Sequence, residues 1–192
     1  MERGSRALDG PKGKAGMTAV VGVSFEQATE IVAGLERDDV FISNHTSPVQ
    51  IVLGGTAAGL AEAEDAFDAA GFRRIVPLKV SGPFHTPLLK PAQDDLAAYL
   101  ADFTFQDPVK PVYSNVTGQR ITSAADAQLL MVAQVVSPVK WVAEEESILA
   151  DGYNRFLETG PGTVLKGLWK AFNKETACEA AGKLDEIDSL MT

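Results

Sequence analysis

The sequence is poor in cysteine, in histidine and in positive charge. Its 192 residues include one cysteine, Cys178, and two histidines. One thiol cannot form an internal disulfide, and such a low cysteine content is typical of a reducing compartment, so we expect a cytoplasmic protein. The 17 lysines and arginines are outnumbered by 26 aspartates and glutamates, which gives a net charge of -9. This balance argues against a nucleic-acid-binding protein, because such a protein needs a basic surface.

Long apolar runs and metal-ligand motifs are also missing. No apolar run approaches the roughly 18 residues that a membrane-spanning helix requires, and residues 1–17 hold no apolar signal core. No CxxC or HExxH spacing and no carboxylate cluster indicates a metal site. With 45% hydrophobic and 22% charged residues, the composition is that of a soluble globular protein. We therefore expect no membrane contact, no metal, and one substantial folded domain or slightly more.

Residues 16–80 show the hydrophobic spacing of alternating strands and helices. The pattern predicts strands over 17–23, 39–44, 49–55 and 72–80, and helices over 24–35 and 56–71. Ser24 and Thr56 are suited to begin the two helices as N-caps, and Gly71 to end the second. The order β-α-β-β-α-β is typical of a ferredoxin-like unit, in which two helices cover one face of a four-stranded sheet.

The second part of the chain alternates helices with few strands. The pattern predicts helices over 86–103, 123–136 and 137–152, a strand over 110–118, and a strand, tight turn and helix within 153–172. This alternation indicates an α/β architecture with a parallel sheet, although two strands are too few for an independent sheet. We therefore interpret it as the tail of a larger domain. The last twenty residues are expected to form a loosely attached acidic terminus.

His85 is the most prominent candidate for chemistry, in the stretch VSGPFHTPLLKPA. A histidine at the start of a helix faces the positive end of the helix dipole, which favours the neutral, proton-accepting imidazole. Pro83 and Pro87 restrict the backbone on both sides and would help to aim such a base. The alternative is a partly buried histidine that only caps the helix, and spacing alone does not decide between the two.

Other candidate residues have simpler alternatives. His45 is predicted in the turn of a hairpin, where Asn44 and Thr46 could line a binding edge or could satisfy the turn backbone. The ETGPG turn at 158–162 could expose N–H groups to an anion, but it lacks the spacing of a phosphate-binding loop, so a plain strand-to-helix connection is favoured. Cys178 has no neighbouring base. No GxSxG elbow is present, and Ser24 in GVSFE is better explained as a helix cap.

Six blocks together resemble the malonyl-CoA:acyl carrier protein transacylase family of acyltransferases. They are GMTAVVG, SNHTSPVQIVLGG, VSGPFHTPLLKPA, PVYSNVTG, QVVSPVKW and ETGPGTVLKGL, in family order over about 155 residues. The resemblance implies an α/β-hydrolase-like large subdomain with an inserted ferredoxin-like small subdomain. It assigns residues 1–15 to a flexible remnant of the large subdomain, 16–80 to the small subdomain, 81–172 to the C-terminal part of the large subdomain and 173–192 to an acidic tail.

The resemblance also implies a ping-pong mechanism. In this family a serine in a GHSxG elbow takes the malonyl group from coenzyme A and passes it to the phosphopantetheine thiol of acyl carrier protein. A histidine activates that serine, and the matching residue is His85. The ring of the family histidine is oriented by a main-chain carbonyl that corresponds to Gln134. Malonyl-CoA is the implied substrate and acyl carrier protein the implied partner, and no further cofactor is expected.

Four residues are implied to bind the substrate. An arginine grips the malonyl carboxylate in the family, and Arg3 is the matching candidate, with Arg6 as the second choice. Phe84 matches the residue that selects malonyl over branched malonyl units. Asn44 and Thr46 match positions that face the pantetheine arm, although the family often has asparagine where Thr46 stands.

The family's N-terminal PGQGSQ loop and its GHSxG elbow have no counterpart in the sequence. We therefore expect a C-terminal portion of the enzyme, without its nucleophile or full oxyanion hole, and a complementary N-terminal chain as a further partner. One alternative is a non-catalytic module that binds carrier protein. Because carrier proteins are acidic, such a module needs a local basic patch, which FRRIVPLK at 72–79 could provide. Another alternative is an acyltransferase domain of a polyketide synthase, which shares these motifs.

Overall fold

The computed structural model describes residues 15–190 as a mixed α/β protein. The strands are β1 (Gly16–Val21), β2 (Val40–Ser47), β3 (Gln50–Gly55), β4 (Arg74–Pro77), β5 (Tyr113–Ser114), β6 (Gln119–Arg120), β7 (Val139–Lys140), β8 (Phe156–Thr159) and β9 (Cys178–Ala181). The helices are α1 (Phe25–Gly34), α2 (Ala57–Ala69), α3 (Lys90–Leu100), α4 (Ala124–Ala133), α5 (Trp141–Ala150), α6 (Val164–Phe172) and α7 (Leu184–Leu190). Between residues 15 and 190, no helix is both long and apolar enough to span a bilayer.

The main sheet has the strand order β4-β1-β3-β2-β7. Its first four strands pair antiparallel with one another, as expected for the predicted ferredoxin-like unit. The four strands expected within residues 16–80 are present, and the sheet has a fifth strand from the second part of the chain, because Val139 and Lys140 pair in parallel with Asn44 and His45 of β2. The sequence pattern assigned these two residues to a helix, and only their tertiary partner makes them a strand. Through them, the second part of the chain is hydrogen-bonded to the first.

The two predicted helix caps are present. Ser24 forms a capping box with Gln27, whose backbone N–H donates to the Ser24 hydroxyl over 3.2 Å while its side-chain oxygen accepts from the Ser24 backbone N–H over 3.1 Å. Thr56 accepts from the backbone N–H of Gly59 over 3.1 Å. Both arrangements satisfy N–H groups that a helix start would otherwise leave unpaired. The capped helices cover one face of the sheet, and fully buried residues between them include Val20, Ile51, Leu53 and Phe67.

The opposite face of the sheet covers the segment that leads to His85. Met17, Ala19 and Val52 form a small apolar cluster there, and Phe84 packs against it. The chain passes close to β3 at this point: a Cβ on Gly54 would lie 2.7 Å from Cγ2 of Thr86. A side chain at position 54 would therefore force the side chain of Thr86, the residue after His85, to shift.

The C-terminal part differs from the prediction in two places. The strand expected over 110–118 is limited to Tyr113–Ser114, which pairs with β6 across a turn. The acidic terminus is not loosely attached, because β9 pairs in parallel with β8 and Trp169 donates its indole N–H to the Thr176 carbonyl over 2.7 Å. These contacts tie residues 173–181 to α6. The proposed division into subdomains stays a prediction, and the flexible segment expected at 1–15 lies almost wholly outside the described residues.

Candidate functional site

His85 occupies a tight bend between the main sheet and α3. Its φ of 62° lies in the left-handed region, where residues other than glycine are uncommon and cost of order 1–3 kcal/mol. The next residue holds the bend in place, since the buried hydroxyl of Thr86 donates to the Pro83 carbonyl over 2.7 Å. The expectation that His85 begins a helix is wrong: a single 3-10 turn starts at Pro87, and α3 begins only at Lys90.

The imidazole of His85 contacts Gln134, which follows α4. Its Nδ1 atom lies 3.0 Å from the Gln134 main-chain oxygen and 3.2 Å from the Gln134 side-chain nitrogen. A single protonation state cannot satisfy both contacts, because the carbonyl requires an N–H and the amide requires a lone pair. The carbonyl contact is shorter, and the amide already donates to the Ser137 carbonyl over 3.1 Å. We therefore assign the Nδ1–H tautomer, which leaves Nε2 with a free lone pair.

His85 lies on the wall of a groove of about 480 Å³. The groove runs between α1, β2 and the segment after α4, and its other walls are mainly apolar. They include Phe25, Val32, Phe41, Ile42 and Pro138. A partly buried imidazole with a free nitrogen in an apolar groove is suited to accept a proton from a bound group.

Asn44 and Thr46 lie in β2, whose earlier residues Phe41 and Ile42 line the groove. Neither is in a turn: the prediction that residues 45–48 form the hairpin turn is wrong, because β2 continues to Ser47. The Asn44 side-chain oxygen accepts from the Ser43 hydroxyl over 2.8 Å. The Thr46 hydroxyl donates to the Gln50 carbonyl over 3.2 Å. Both side chains are half-buried and bonded locally, so their suggested contact with a pantetheine arm stays a prediction.

His45 is likewise a strand residue and is not simply solvent-facing. Its ring stacks on Phe25 of α1, with centroids 4.8 Å apart. Burial lowers the pKa of His45, and the nearby carboxylates of Glu26 and Glu146 oppose that shift. The stacking holds Phe25, which lines the groove, against β2.

Phe84 is not among the residues that line the groove, and Arg3 and its alternative Arg6 lie outside residues 15–190. Phe84 packs against both apolar clusters that flank the bend, one of them centred on Leu89 and Val135. Its role in acyl selection stays a prediction.

In the ETGPG turn, the side chain of Glu158 takes the place that an external anion would occupy. The carboxylate of Glu158 accepts from the backbone N–H of Leu165 over 3.0 Å and from that of Lys166 over 2.7 Å. These are the N–H groups at the start of α6 that an external anion would use. The plain strand-to-helix connection is therefore correct, and the carboxylate that begins the motif holds the helix in place.

Two buried carboxyl groups in α5 were missed by the sequence reading. Glu145 is fully buried and Glu144 almost so, and Oε2 of Glu144 and both side-chain oxygens of Glu145 lack a hydrogen-bond partner. Burial raises the pKa of Glu144 to about 7 and that of Glu145 to about 8. The indole N–H of Trp141 lies close enough to Glu145 to lower the pKa of its carboxyl group slightly and so opposes the effect of burial. The geometry between the two groups is not that of a well-formed hydrogen bond. The sequence EEE at 144–146 does not indicate which glutamates are buried, and only the fold shows that Glu144 and Glu145 face inward.

The sequence predicted the helix that forms one wall of the groove, but it did not predict the groove. Phe25 and Val32 fit the apolar face of the helix predicted over 24–35, which indicated core packing, yet Phe25 remains 37% exposed and lines the groove. An aromatic residue directly after a helix cap is a signal that could have marked a wall. Within residues 15–190, no group of three or more histidine, cysteine, aspartate or glutamate side chains is arranged to hold a metal ion.

Two curated relatives of the chain carry the same description. A malonyl CoA-acyl carrier protein transacylase of Staphylococcus aureus (strain MRSA252) is 35% identical over 179 residues, which is 92% of this chain and 58% of the relative. One from Bacillus subtilis (strain 168) is 34% identical over 93% of this chain and 57% of the relative. The chain thus spans less than two thirds of the relatives it matches. No family model matches it.

Solved structures show the same fold. An acyl carrier protein S-malonyltransferase from Vibrio cholerae superposes with a TM-score of 0.91 and 32% identity, covering 98% of this chain and 61% of that one. A malonyl-transacylase in complex with a type II polyketide synthase acyl-carrier protein gives 0.90 and 32%, covering 97% and 60%. The predicted resemblance and the mixed α/β fold class are confirmed.

Proposed function

We propose that this chain, a homologue of the malonyl CoA-acyl carrier protein transacylases over 92% of its length, supplies the general base for malonyl transfer. The reaction moves malonyl from malonyl-CoA to the phosphopantetheine thiol of acyl carrier protein. The supporting observation is the His85–Gln134 contact, which leaves Nε2 of His85 unprotonated on the groove wall. The names of the relatives support the choice of substrate and partner.

In the proposed mechanism, His85 Nε2 takes the proton of a serine hydroxyl as the serine oxygen attacks the malonyl thioester carbonyl. The C–S bond to coenzyme A then breaks, and the imidazolium returns the proton to the leaving thiolate. The second half runs in reverse with the carrier thiol, whose proton passes to Nε2 and then to the serine oxygen. The Gln134 carbonyl holds Nδ1–H throughout and stabilises the imidazolium.

The nucleophilic serine has to come from polypeptide beyond these 192 residues, because the sequence contains no GxSxG elbow. A complementary N-terminal segment is therefore part of the proposal. Arg3 binding the malonyl carboxylate, Phe84 restricting the space beside the α-carbon, and Asn44 and Thr46 facing the pantetheine arm belong to it as well. The single, half-buried Cys178 supports the cytoplasm as the compartment.

Complementation tests this proposal. The chain is mixed with the portion of the Staphylococcus aureus relative that has no counterpart here, together with labelled malonyl-CoA and acyl carrier protein. We expect labelled carrier protein only when both polypeptides are present. Replacing the base, His85→Ala, should lower the rate by about a hundredfold or more, the usual contribution of general acid–base catalysis.

Two results would count against the proposal. Product formed by the chain alone would show that its nucleophile lies within the 192 residues. An active His85→Ala assembly would remove His85 from the mechanism. Carrier binding without transfer in every mixture would favour the rival function, a non-catalytic module that binds carrier protein.

A further inference from the structure

Thr86, the residue directly after His85, is completely buried although its side chain carries a hydroxyl group. Two parts of that side chain make separate close contacts. The hydroxyl donates to the Pro83 carbonyl over 2.7 Å. The Cγ2 methyl group faces Gly54 of β3, where an added Cβ would lie only 2.7 Å from it. The hydroxyl therefore binds the local backbone, while the methyl group packs against the main sheet.

The hydroxyl contact of Thr86 spans the bend that contains His85. In residues 80–90, all of which the structure describes, it is the one hydrogen bond that joins a residue before His85 to a residue after it. The backbone of His85 has a φ of 62°, and a residue other than glycine keeps such a conformation only where surrounding contacts determine it. The Thr86–Pro83 hydrogen bond is a contact of this kind, because it connects the two ends of the bend.

This hydrogen bond is shielded from solvent. Both Thr86 and Pro83 are fully buried, so water cannot simply replace the hydroxyl if a substitution removes it. A buried carbonyl that loses its donor costs free energy for as long as the bend keeps its shape. Loss of the hydroxyl should therefore shift the bend towards conformations in which the Pro83 carbonyl reaches another donor.

The bend determines where the imidazole of His85 points. Nδ1 of the ring lies 3.0 Å from the main-chain oxygen of Gln134, which belongs to a separate segment after α4. A shift of the bend would lengthen this contact and would also move Nε2 from its place on the groove wall. A general base must lie within hydrogen-bond reach of the proton that it accepts. The shape of the bend thus bears directly on the use of Nε2 as a base.

We infer that the hydroxyl of Thr86 is a positioning group for the His85 base. The role of His85 as the base rests on the proposed function, whereas the contacts that hold the bend are observed in this chain. The methyl group of Thr86 has a different task, which is to pack the segment against Gly54. Because a substitution can remove either group alone, an effect specific to the hydroxyl distinguishes positioning from packing.

Two substitutions of Thr86 separate the two groups. Thr86→Val keeps a methyl group towards Gly54 and removes the hydroxyl, whereas Thr86→Ser keeps the hydroxyl and removes the methyl group. In the complementation assay, Thr86→Val should lower kcat about tenfold or more with little change in KM, because the base is misaligned while substrate binding is retained. Thr86→Ser should restore kcat to within about threefold of the unmodified chain.

Thr18→Val is the matched control. Thr18 is only 1% exposed, and its hydroxyl donates to Glu64 of α2 over 2.6 Å. Its side chain therefore lies on the helix-covered face of the sheet, opposite the segment that leads to His85. Thr18→Val also removes a buried threonine hydroxyl, so it should destabilise the fold as Thr86→Val does and leave kcat unchanged. Circular dichroism and urea unfolding check that the variants are folded.

A second measurement requires no catalysis. In the full 192-residue chain alone, with His45→Phe to leave one histidine, ¹⁵N NMR follows the ring of His85. Thr86→Val should shift the ring resonances and speed the exchange of the Nδ1 proton with water, while Thr86→Ser and Thr18→Val should leave both unaffected. If the unmodified assembly transfers no malonyl group, the proposed function fails, and the ring resonances alone decide this inference.

Three results would overturn the inference. Unchanged ring resonances in Thr86→Val, or an unchanged kcat in an active assembly, would show that the hydroxyl does not position the base. Equal losses in Thr86→Ser and Thr86→Val would assign the effect to packing of the methyl group. An equal loss in Thr18→Val would assign it to a general loss of stability.

Discussion

Nδ1 of His85 is held 3.0 Å from the main-chain oxygen of Gln134, 49 residues further along the chain. The group that orients the ring is thus part of the backbone, and no side-chain substitution removes it. What a substitution can change is the position of that carbonyl. The Gln134 side chain contributes there by donating to the Ser137 carbonyl across the bend that follows α4.

The tautomer of His85 can be observed directly. We expect the Nδ1–H form near neutral pH, because a carbonyl faces Nδ1 and the opposite nitrogen lies on the groove wall. Two-bond ¹H–¹⁵N correlation NMR of the ring distinguishes the two tautomers. The variant His45→Phe leaves a single histidine and preserves an aromatic ring against Phe25, so the signal is assigned without ambiguity. An Nε2–H tautomer would mean that the side-chain amide of Gln134 is the true partner.

Gln134→Ala should be mild compared with His85→Ala. The substitution keeps the carbonyl that accepts from His85 and removes the side-chain amide, with its hydrogen bond to Ser137 and its 3.2 Å contact with Nδ1. We expect a rate loss within about tenfold in the complementation assay, since one hydrogen bond contributes about 1 kcal/mol. The loss for His85→Ala should be about a hundredfold or more. Equal losses for the two variants would show that the amide, not the carbonyl, orients the ring.

Glu145 should make the protein less stable as the pH rises. Burial raises its pKa from 4.5 in ordinary surroundings to about 8. Between these values the folded state holds the proton and the unfolded chain releases it, so the free energy of unfolding falls with increasing pH. Glu145→Gln should therefore stabilise the protein at pH 8, by about 1–3 kcal/mol, with little effect near pH 4.5.

Urea unfolding at the two pH values measures this effect. The control is Glu146→Gln, because Glu146 is the exposed neighbour in the same helix and its replacement should not remove the fall in stability between the two pH values. Glu144, with a raised pKa of about 7, is expected to account for part of the remaining slope. A pH dependence that survives Glu145→Gln in full would contradict the assignment.

A methyl group at position 54 should disturb the His85 bend. The Cβ of Gly54→Ala would approach Cγ2 of buried Thr86 to 2.7 Å and the Phe84 carbonyl to 3.4 Å. We expect a loss of about 1–3 kcal/mol in unfolding free energy, together with a shift of the His85 ring resonances. Gly34→Ala, at the end of α1 with no atom within 4 Å of the new methyl, should be neutral or stabilising. Unperturbed His85 resonances in Gly54→Ala would show that the bend tolerates the displacement.

The sequence predicted the first sixty residues of the fold well, because each element there carries its own signal. Ser24 and Thr56 mark helix starts that the structure confirms, and the apolar runs of β1 and β3 are buried strands of the sheet. Such signals are local, so they survive without knowledge of tertiary partners. The His85 block likewise indicated a site through its residue types and order.

The errors arose where a tertiary partner decides the conformation. Val139 and Lys140 form a strand only because β2 lies beside them, and Cys178–Ala181 does so only beside β8. The left-handed backbone of His85 lies beside the Thr86 hydrogen bond and the close approach of Gly54, and neither contact is visible in a linear pattern. Which glutamates of α5 face inward was equally inaccessible.

The short parallel pair between β2 and β7 limits how the His85 groove can move. One wall of the groove comes from β2 and another from the residues just before β7, so both walls are joined through main-chain hydrogen bonds. Lys140 is also anchored on its other side, where its N–H donates to the Asn115 carbonyl over 2.8 Å. Hinge-like opening at this point would have to break backbone pairing. The groove should therefore select its occupant by a preset width, and its amide protons at 139–140 should exchange slowly with solvent.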